Sequence, residues 1–274
     1  MFKSLSEIRD WDSAIQYADL KTGIRMAYVE AGDSEKPAVV FLHGHTDTGR
    51  SYKVSASAIE KDHRLIMPDL RGYGHSDKPE VFAYSITEMA NDILALMDAL
   101  GIEKASVVGF SMGSFVAQAV SFSAPDRIEK LMLISSGARM NETAEDVAAV
   151  IEDLKAAYNA EKDEEFISGW IPTYQIFDQE TLKYYWENLK KISVQSWVAG
   201  WLALSLADHR KFLQFIKCPV TIIWGREDGL FVEELQNELR QLLPQADFIP
   251  FDNTHEILGE NSARVGEEFA RFFV

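Results

Sequence analysis

Gly109-Phe110-Ser111-Met112-Gly113 lies between two apolar runs, Ala105-Ser106-Val107-Val108 before it and Phe115-Val116-Ala117-Gln118-Ala119-Val120 after it. The order reads as strand, sharp turn, helix. A serine on such a turn has its hydroxyl pushed out of the sheet into a cleft. Small residues two before and two after allow the turn to close. One G-x-S-x-G arises by chance too readily to settle a fold, so the flanking sequence has to support it.

It does. Ala38-Val39-Val40-Phe41-Leu42 is a continuous apolar run, as a strand buried on both faces should be. It ends in His43-Gly44-His45-Thr46. Arg64-Leu65-Ile66-Met67 leads into Pro68-Asp69-Leu70-Arg71-Gly72-Tyr73-Gly74-His75-Ser76. Lys130-Leu131-Met132-Leu133-Ile134-Ser135, Pro219-Val220-Thr221-Ile222-Ile223-Trp224-Gly225 and Asp247-Phe248-Ile249-Pro250-Phe251 follow. Helical patterns or a long insertion separate these runs. That alternation predicts a mostly parallel sheet with helices on both faces.

With these residues in place the chain resembles the α/β-hydrolase family over nearly its whole length. The matching residues are His43-Gly44 after the third strand, Asp69-x-Arg71-Gly72-x-Gly74-x-Ser76 after the fourth and the serine turn after the fifth. Asp208-x-Arg210 and Pro219 precede the seventh strand, Gly225-x-x-Asp228 follows it, and His255 comes after the eighth. The resemblance implies an eight-stranded, mostly parallel sheet with a helical cap inserted after strand six. It says much less about substrate, because the fold hosts many chemistries.

The 274 residues suffice for one core domain with room for an inserted subdomain. Residues 1–137 and 211–274 are expected to form the core and 138–210 the cap. Four of the six tryptophans fall in that insertion, Trp170, Trp186, Trp197 and Trp201, together with Tyr174, Phe177, Tyr184 and Tyr185. Residues 17–32 read as a strand, a Thr22-Gly23 turn and a second strand. Before them Phe2, Leu5, Ile8, Trp11 and Ile15 recur at helical spacing, which predicts a short helix on the sheet or its edge; a contact with a second subunit is the alternative, so a homodimer stays open. Residues 85–100 read as an amphipathic helix with Gly101 as its C-cap.

A net charge of −16 argues against nucleic acid and anionic membrane surfaces as partners. The single cysteine, Cys218, precludes an internal disulfide and reads as a buried structural thiol. The N-terminus lacks a signal-peptide core and no run reaches transmembrane length, so a soluble cytoplasmic protein is expected. Histidines and carboxylates show no ligand spacing such as H-E-x-x-H, so neither a metal nor another cofactor is expected.

A serine hydroxyl is a poor nucleophile until a base takes its proton and a carboxylate orients that base. The resemblance assigns these roles to Ser111, His255 and Asp228, in the family's chain order. Glu227 falls one residue short of the family spacing. The place after strand six, Ser135-Ser136-Gly137, carries no carboxylate. His43 reads as structural, and His63, His75 and His209 have no expected route to Ser111. The oxyanion of an acyl transfer needs backbone N–H donors, which the family pattern places at Met112 and His45. The Asp69–Gly74 motif reads as a glycine-shaped loop pinned by an Asp–Arg interaction.

Serine at this turn implies an acyl-enzyme. Epoxide hydrolases and dehalogenases of similar layout carry aspartate there. Phe110, Trp170, Tyr174, Trp186, Trp197 and Trp201 are candidate pocket residues, and such rings favour a medium-sized hydrophobic carboxylic ester or lactone. A carbon–carbon bond hydrolase of ring-cleavage products and a hydrolase-fold small-molecule receptor are the alternatives. The first is disfavoured by His45-Thr46-Asp47-Thr48 after His43-Gly44 and by Phe110 before the serine.

Overall fold

A computed structural model describes residues 4–8, 10–79, 83–141 and 179–274, and the positions 143, 145, 147–149 and 152. Its strands are β1 (Gln16–Asp19), β2 (Arg25–Gly32), β3 (Ala38–Leu42), β4 (Arg64–Pro68), β5 (Ala105–Phe110), β6 (Ile128–Ile134), β7 (Val220–Gly225) and β8 (Asp247–Phe251). They form one eight-stranded sheet in the order β1-β2-β4-β3-β5-β6-β7-β8. β1–β2 and β2–β4 pair antiparallel; every other pair is parallel. The described helices are α1 (Lys53–Ala56), α2 (Ile86–Ala99), α3 (Met112–Ser123), α4 (Gln179–Lys191), α5 (Val194–Ser205), α6 (Glu233–Leu242), α7 (Ile257–Glu260) and α8 (Ser262–Phe273).

The central strands β3, β5 and β7 are buried at every position, which is why β3 is an unbroken apolar run and β5 and β7 are apolar but for Ser106 and Thr221. Alternate residues serve opposite faces. Val40 and Leu42 pack with α2 and α3 around Met89, Ile93, Phe115 and Val116. Val39 and Phe41 pack on the other face with Val265, Phe269 and Phe273 of α8. The α2 boundaries follow their local signals. Ser85 accepts the Glu88 N–H at 3.1 Å, a cap of about 1 kcal/mol. At the other end Gly101 takes φ +66°, and the Ile102 N–H reaches the Met97 carbonyl at 2.8 Å.

Two expectations are corrected. The first concerns the N-terminal apolar stripe. Leu5, Ile8 and Trp11 are buried in the α8 face of the core, yet the described residues 4–8 and 10–15 form turns and one 3-10 turn (Asp12–Ala14), without an α-helix. Burial against the core outweighs the helical period in so short a segment. The second concerns the Asp69–Gly74 loop. Arg71 pairs with Asp92 of α2 through two bonds of 2.6 and 2.7 Å. Asp69 instead accepts the N–H groups of Gly49 (3.0 Å) and His75 (2.9 Å). Gly74, at φ +49°, leaves space that Asp69 occupies: a Cβ there would sit 2.1 Å from the carboxylate. Cys218 is buried, and burial pushes its thiol up to about 11, as a structural thiol requires.

Candidate active site

Ser111 joins β5 to α3 at φ +50°, ψ −120°. Such a backbone is costly for a residue with a Cβ and persists only where its surroundings hold it. Here the Ser111 N–H donates to the Ile134 carbonyl of β6 (3.0 Å), and the Ser111 carbonyl accepts the Ser114 N–H (2.8 Å) and hydroxyl (2.6 Å). The two glycines permit the crossing. A Cβ on Gly109 would lie 2.3 Å from the Gly113 carbonyl oxygen, and one on Gly113 would lie 2.1 Å from that of Leu42.

The loop after β8 brings His255 to this turn. Its Nε2 stands 2.9 Å from Ser111 Oγ and its Nδ1 3.0 Å from Asp228 Oδ2. A carboxylate opposite Nδ1 requires the proton there, so Nε2 is the acceptor for the serine hydroxyl. Asp228, in the loop after β7, is buried, and its Oδ1 accepts the N–H groups of Leu230 and Phe231, both at 2.9 Å. Burial alone would raise its pKa. The His255 hydrogen bond and charge, together with the Phe231 and Leu230 N–H bonds, outweigh burial and hold it below the usual carboxylate range. For His255 burial alone would lower the pKa, but the Asp228 bond and charge, with Glu256 and Glu260, raise it. Glu227 is exposed.

Sequence reasoning missed several residues around this histidine. The Phe231 ring lies 5.7 Å from the imidazole, and the Phe110 ring, already expected at the site, lies 5.5 Å away. Ser135, at φ +47°, donates its hydroxyl to the His255 carbonyl at 2.8 Å. Glu260 accepts from the Thr254 N–H (3.0 Å), the Thr254 hydroxyl and the Asn253 amide (2.8 Å), which anchors the two residues before His255. Glu256, beside His255, is driven by burial up to about 7, opposed by the His255 charge and assisted by Asp47, Glu260 and Asp228. No spacing rule flags these contacts; they depend on which loops meet.

The other histidines lie elsewhere. His43 Nε2 accepts the Leu70 N–H at 2.9 Å, so its Nδ1 donates to the Gly44 carbonyl at 2.7 Å. Burial lowers the His43 pKa and keeps the ring neutral in that role. His209 meets Gln118 (2.9 Å), His63 the Ile59 carbonyl (3.2 Å), and His75 the carboxylates of Asp12 and Asp69. A Cβ on Gly44 would lie 3.3 Å from that of Ser111, so the segment leading to His45 passes against the serine turn. Met112 is the first residue of α3, and its N–H therefore has no acceptor within the helix.

The His45 ring meets the insertion. Its Nδ1 is 2.8 Å from Tyr73 Oη, and it faces Trp197 edge-on (6.1 Å) and Trp201 at a tilt (5.6 Å), both on α5. Burial pushes the imidazole down to about 3, so it is neutral. Trp197 is fully buried, whereas Trp201 and Trp186 are half-buried, and Trp186 lies under the Lys190 ammonium. Trp170 and Tyr174 lie outside the described residues. Among the described residues no cluster of three or more His, Cys, Asp or Glu suits a metal ion, and no helix is long and apolar enough to cross a membrane.

The model of the α/β hydrolase fold family matches residues 37–262. The chain belongs to the α/β hydrolase fold family. Within it, this hydrolase is 27% identical over 245 residues to the AB hydrolase superfamily protein YisY of Bacillus subtilis, covering 85% of this chain and 90% of that one. It is 35% identical over 126 residues to epoxide hydrolase 1 of Caenorhabditis elegans, a match covering 46% of this chain and only 30% of that protein's length. The enol-lactonase from Burkholderia xenovorans LB400 superposes with a TM-score of 0.85 at 23% identity, covering 94% of this chain and 99% of that one.

Proposed function

We propose that this α/β hydrolase is a serine hydrolase that acts through an acyl-enzyme on a medium-sized hydrophobic carboxylic ester or lactone. The observation that carries the reading is the relay from Ser111 Oγ to His255 Nε2 at 2.9 Å and from His255 Nδ1 to Asp228 at 3.0 Å. His255 takes the serine proton as Oγ attacks the carbonyl carbon, and Asp228 stabilises the imidazolium. The N–H groups of His45 and Met112 receive the oxyanion. The tetrahedral intermediate collapses, the C–O bond to the leaving group breaks, and His255 Nε2–H protonates the departing oxygen. Water, deprotonated by the same nitrogen, then releases the acid and regenerates Ser111.

The nucleophile's chemistry separates this reading from the epoxide hydrolase likeness. Serine opening an epoxide would leave an alkyl ether, which water cannot cleave at such a site. An ester on Ser111 is readily hydrolysed. Residues 138–210 act in this reading as a cap over the core formed by 1–137 and 211–274. Trp197 and Trp201 against His45, and Phe110 beside His255, support an apolar surrounding for the acyl group.

The test is a panel of esters and lactones assayed with the wild type and Ser111→Ala, together with intact-mass measurement after a fluorophosphonate. Multiple turnover and a single adduct on Ser111, both lost in the variant, are expected. Equal activity in the two proteins refutes the reading.

A further inference from the structure

The segment that carries His45 is a strained turn. The Asp47 N–H donates to the Gly44 carbonyl at 3.4 Å and closes a four-residue turn with His45 and Thr46 at its centre. Thr46 takes φ +66°. A β-branched residue in the left-handed region is an outlier, because its branched Cβ crowds the backbone there. Such a conformation persists where outside contacts over-determine it. The Thr46 hydroxyl helps by donating to the His45 carbonyl at 2.6 Å, but that bond lies within the turn.

At Asp47 the outside contacts come from α4, more than 130 residues away in sequence. Tyr184 donates its hydroxyl to Asp47 Oδ1 at 2.8 Å, and Asn188 Nδ2 lies 3.4 Å from the same oxygen. That oxygen also accepts the Thr48 N–H at 2.7 Å. Because the Tyr184 proton is used on Asp47, the 2.9 Å contact with Thr48 Oγ1 is a bond that Thr48 donates. Asp47 and Asn188 are buried, so these bonds form where water competes poorly. Asp47 thus closes the turn with its backbone and ties it to α4 with its side chain.

We propose that Asp47, Tyr184 and Asn188 are positioning residues that hold the Gly44–Asp47 turn in its strained form and so aim the His45 amide at the oxyanion. This rests on the acyl-enzyme reading above and deepens it. It makes α4, whose Tyr184 and Asn188 touch Asp47 rather than the reacting atoms, a determinant of the chemical step. The chemistry is directional. The oxyanion exists only in the transition state and the tetrahedral intermediate, so an amide out of line weakens these and leaves ground-state binding nearly intact.

The experiment compares wild type, Tyr184→Phe and Asn188→Ala on one ester. Each protein is also titrated with a boronic acid bearing the same acyl group, which forms a tetrahedral adduct on the nucleophile. Tyr184→Phe keeps the ring and removes one oxygen, so it perturbs folding least. The expected result is a kcat lower by about ten-fold, a displacement effect well below the 10²-fold that an error of about 1 Å can cause. KM stays within about two-fold, and the boronate dissociation constant rises by the same factor as kcat falls. Thr46→Gly placed on Tyr184→Phe should recover part of both losses, because glycine adopts a positive φ without strain. A purely structural role would lower the melting temperature and leave kcat, boronate affinity and the glycine rescue at baseline. That pattern, or a loss confined to KM, overturns the proposal. A wild type that behaves like Ser111→Ala in both assays overturns the acyl-enzyme reading itself.

Discussion

Gly113→Ala is expected to damage rate and stability together, and the size of the effect follows from the crossing of α3 over β3. A Cβ at position 113 would lie 2.1 Å from the Leu42 carbonyl oxygen and 2.5 Å from that of His43. Real Cβ atoms essentially never come within 3.0 Å of such neighbours. Backbone is on both sides, so no side chain can swing away and the gap must widen by about 1 Å. Overpacking of this kind costs about 1–3 kcal/mol. The strand end that moves leads directly to His43, Gly44 and His45. A shift of about 1 Å in an oxyanion donor can cost on the order of 10²-fold in rate. Urea unfolding followed by tryptophan fluorescence measures the first quantity, and kcat/KM on a simple ester the second. Gly229→Ala is the control: its Cβ would meet nothing within 4 Å, and a change within about 0.5 kcal/mol is expected. A Gly113→Ala protein with wild-type stability and rate would show that the crossing does not hold the oxyanion loop.

Activity should fall toward acid pH as His255 takes a proton, and the limb should lie higher than for an ordinary histidine because Asp228, Glu256 and Glu260 raise its pKa against the effect of burial. Glu256→Gln should move that limb of the kcat/KM profile to lower pH on an unchargeable ester; an unmoved limb counts against this electrostatic assignment. Asp228→Asn should lower kcat by on the order of 10⁴-fold, since the amide no longer fixes the imidazole tautomer; a loss below ten-fold removes Asp228 from the relay. Arg71→Ala strands Asp92 in the core and should cost about 3–5 kcal/mol in urea unfolding, against a negligible change if the pair were solvated. Burial holds His209 down to about 4, below its unfolded value near 6.5. The unfolded chain therefore binds the extra proton first, and stability is lost as pH falls from about 6.5 to 4, by on the order of 3 kcal/mol. His209→Gln should flatten that part of the stability profile, and an unchanged slope would remove His209 as its cause.

Much of this protein is legible in its sequence because the rules involved are local. A parallel strand buried on both faces is predominantly apolar, so β3 announces itself as a short unbroken run and β5 and β7 as runs broken only by Ser106 and Thr221 among their side chains. A turn that crosses other backbone at 2.1–2.3 Å from a virtual Cβ admits only glycine, so Gly109 and Gly113 mark the serine between them. The chain order of Ser111, Asp228 and His255 follows from the strands that carry them, and the structure brings the three within hydrogen-bond reach.

Tertiary structure decided the partners. Arg71 stands two residues from Asp69, yet it pairs with Asp92, because α2 presents that carboxylate from the buried side while Asp69 is occupied by two backbone amides. The apolar stripe at the N-terminus was visible, but its described residues form no α-helix, since a segment that short takes its conformation from the surface it covers. Phe231, Ser135 and Glu260 around His255, and Tyr184 and Asn188 on Asp47, had no signature at all. Backbone sterics and hydrophobic period act over a few residues and are written in order along the chain. Which hydroxyl meets which carboxylate across 137 positions depends on where the sheet and its helices set the loops, and that is a property of the packed molecule alone.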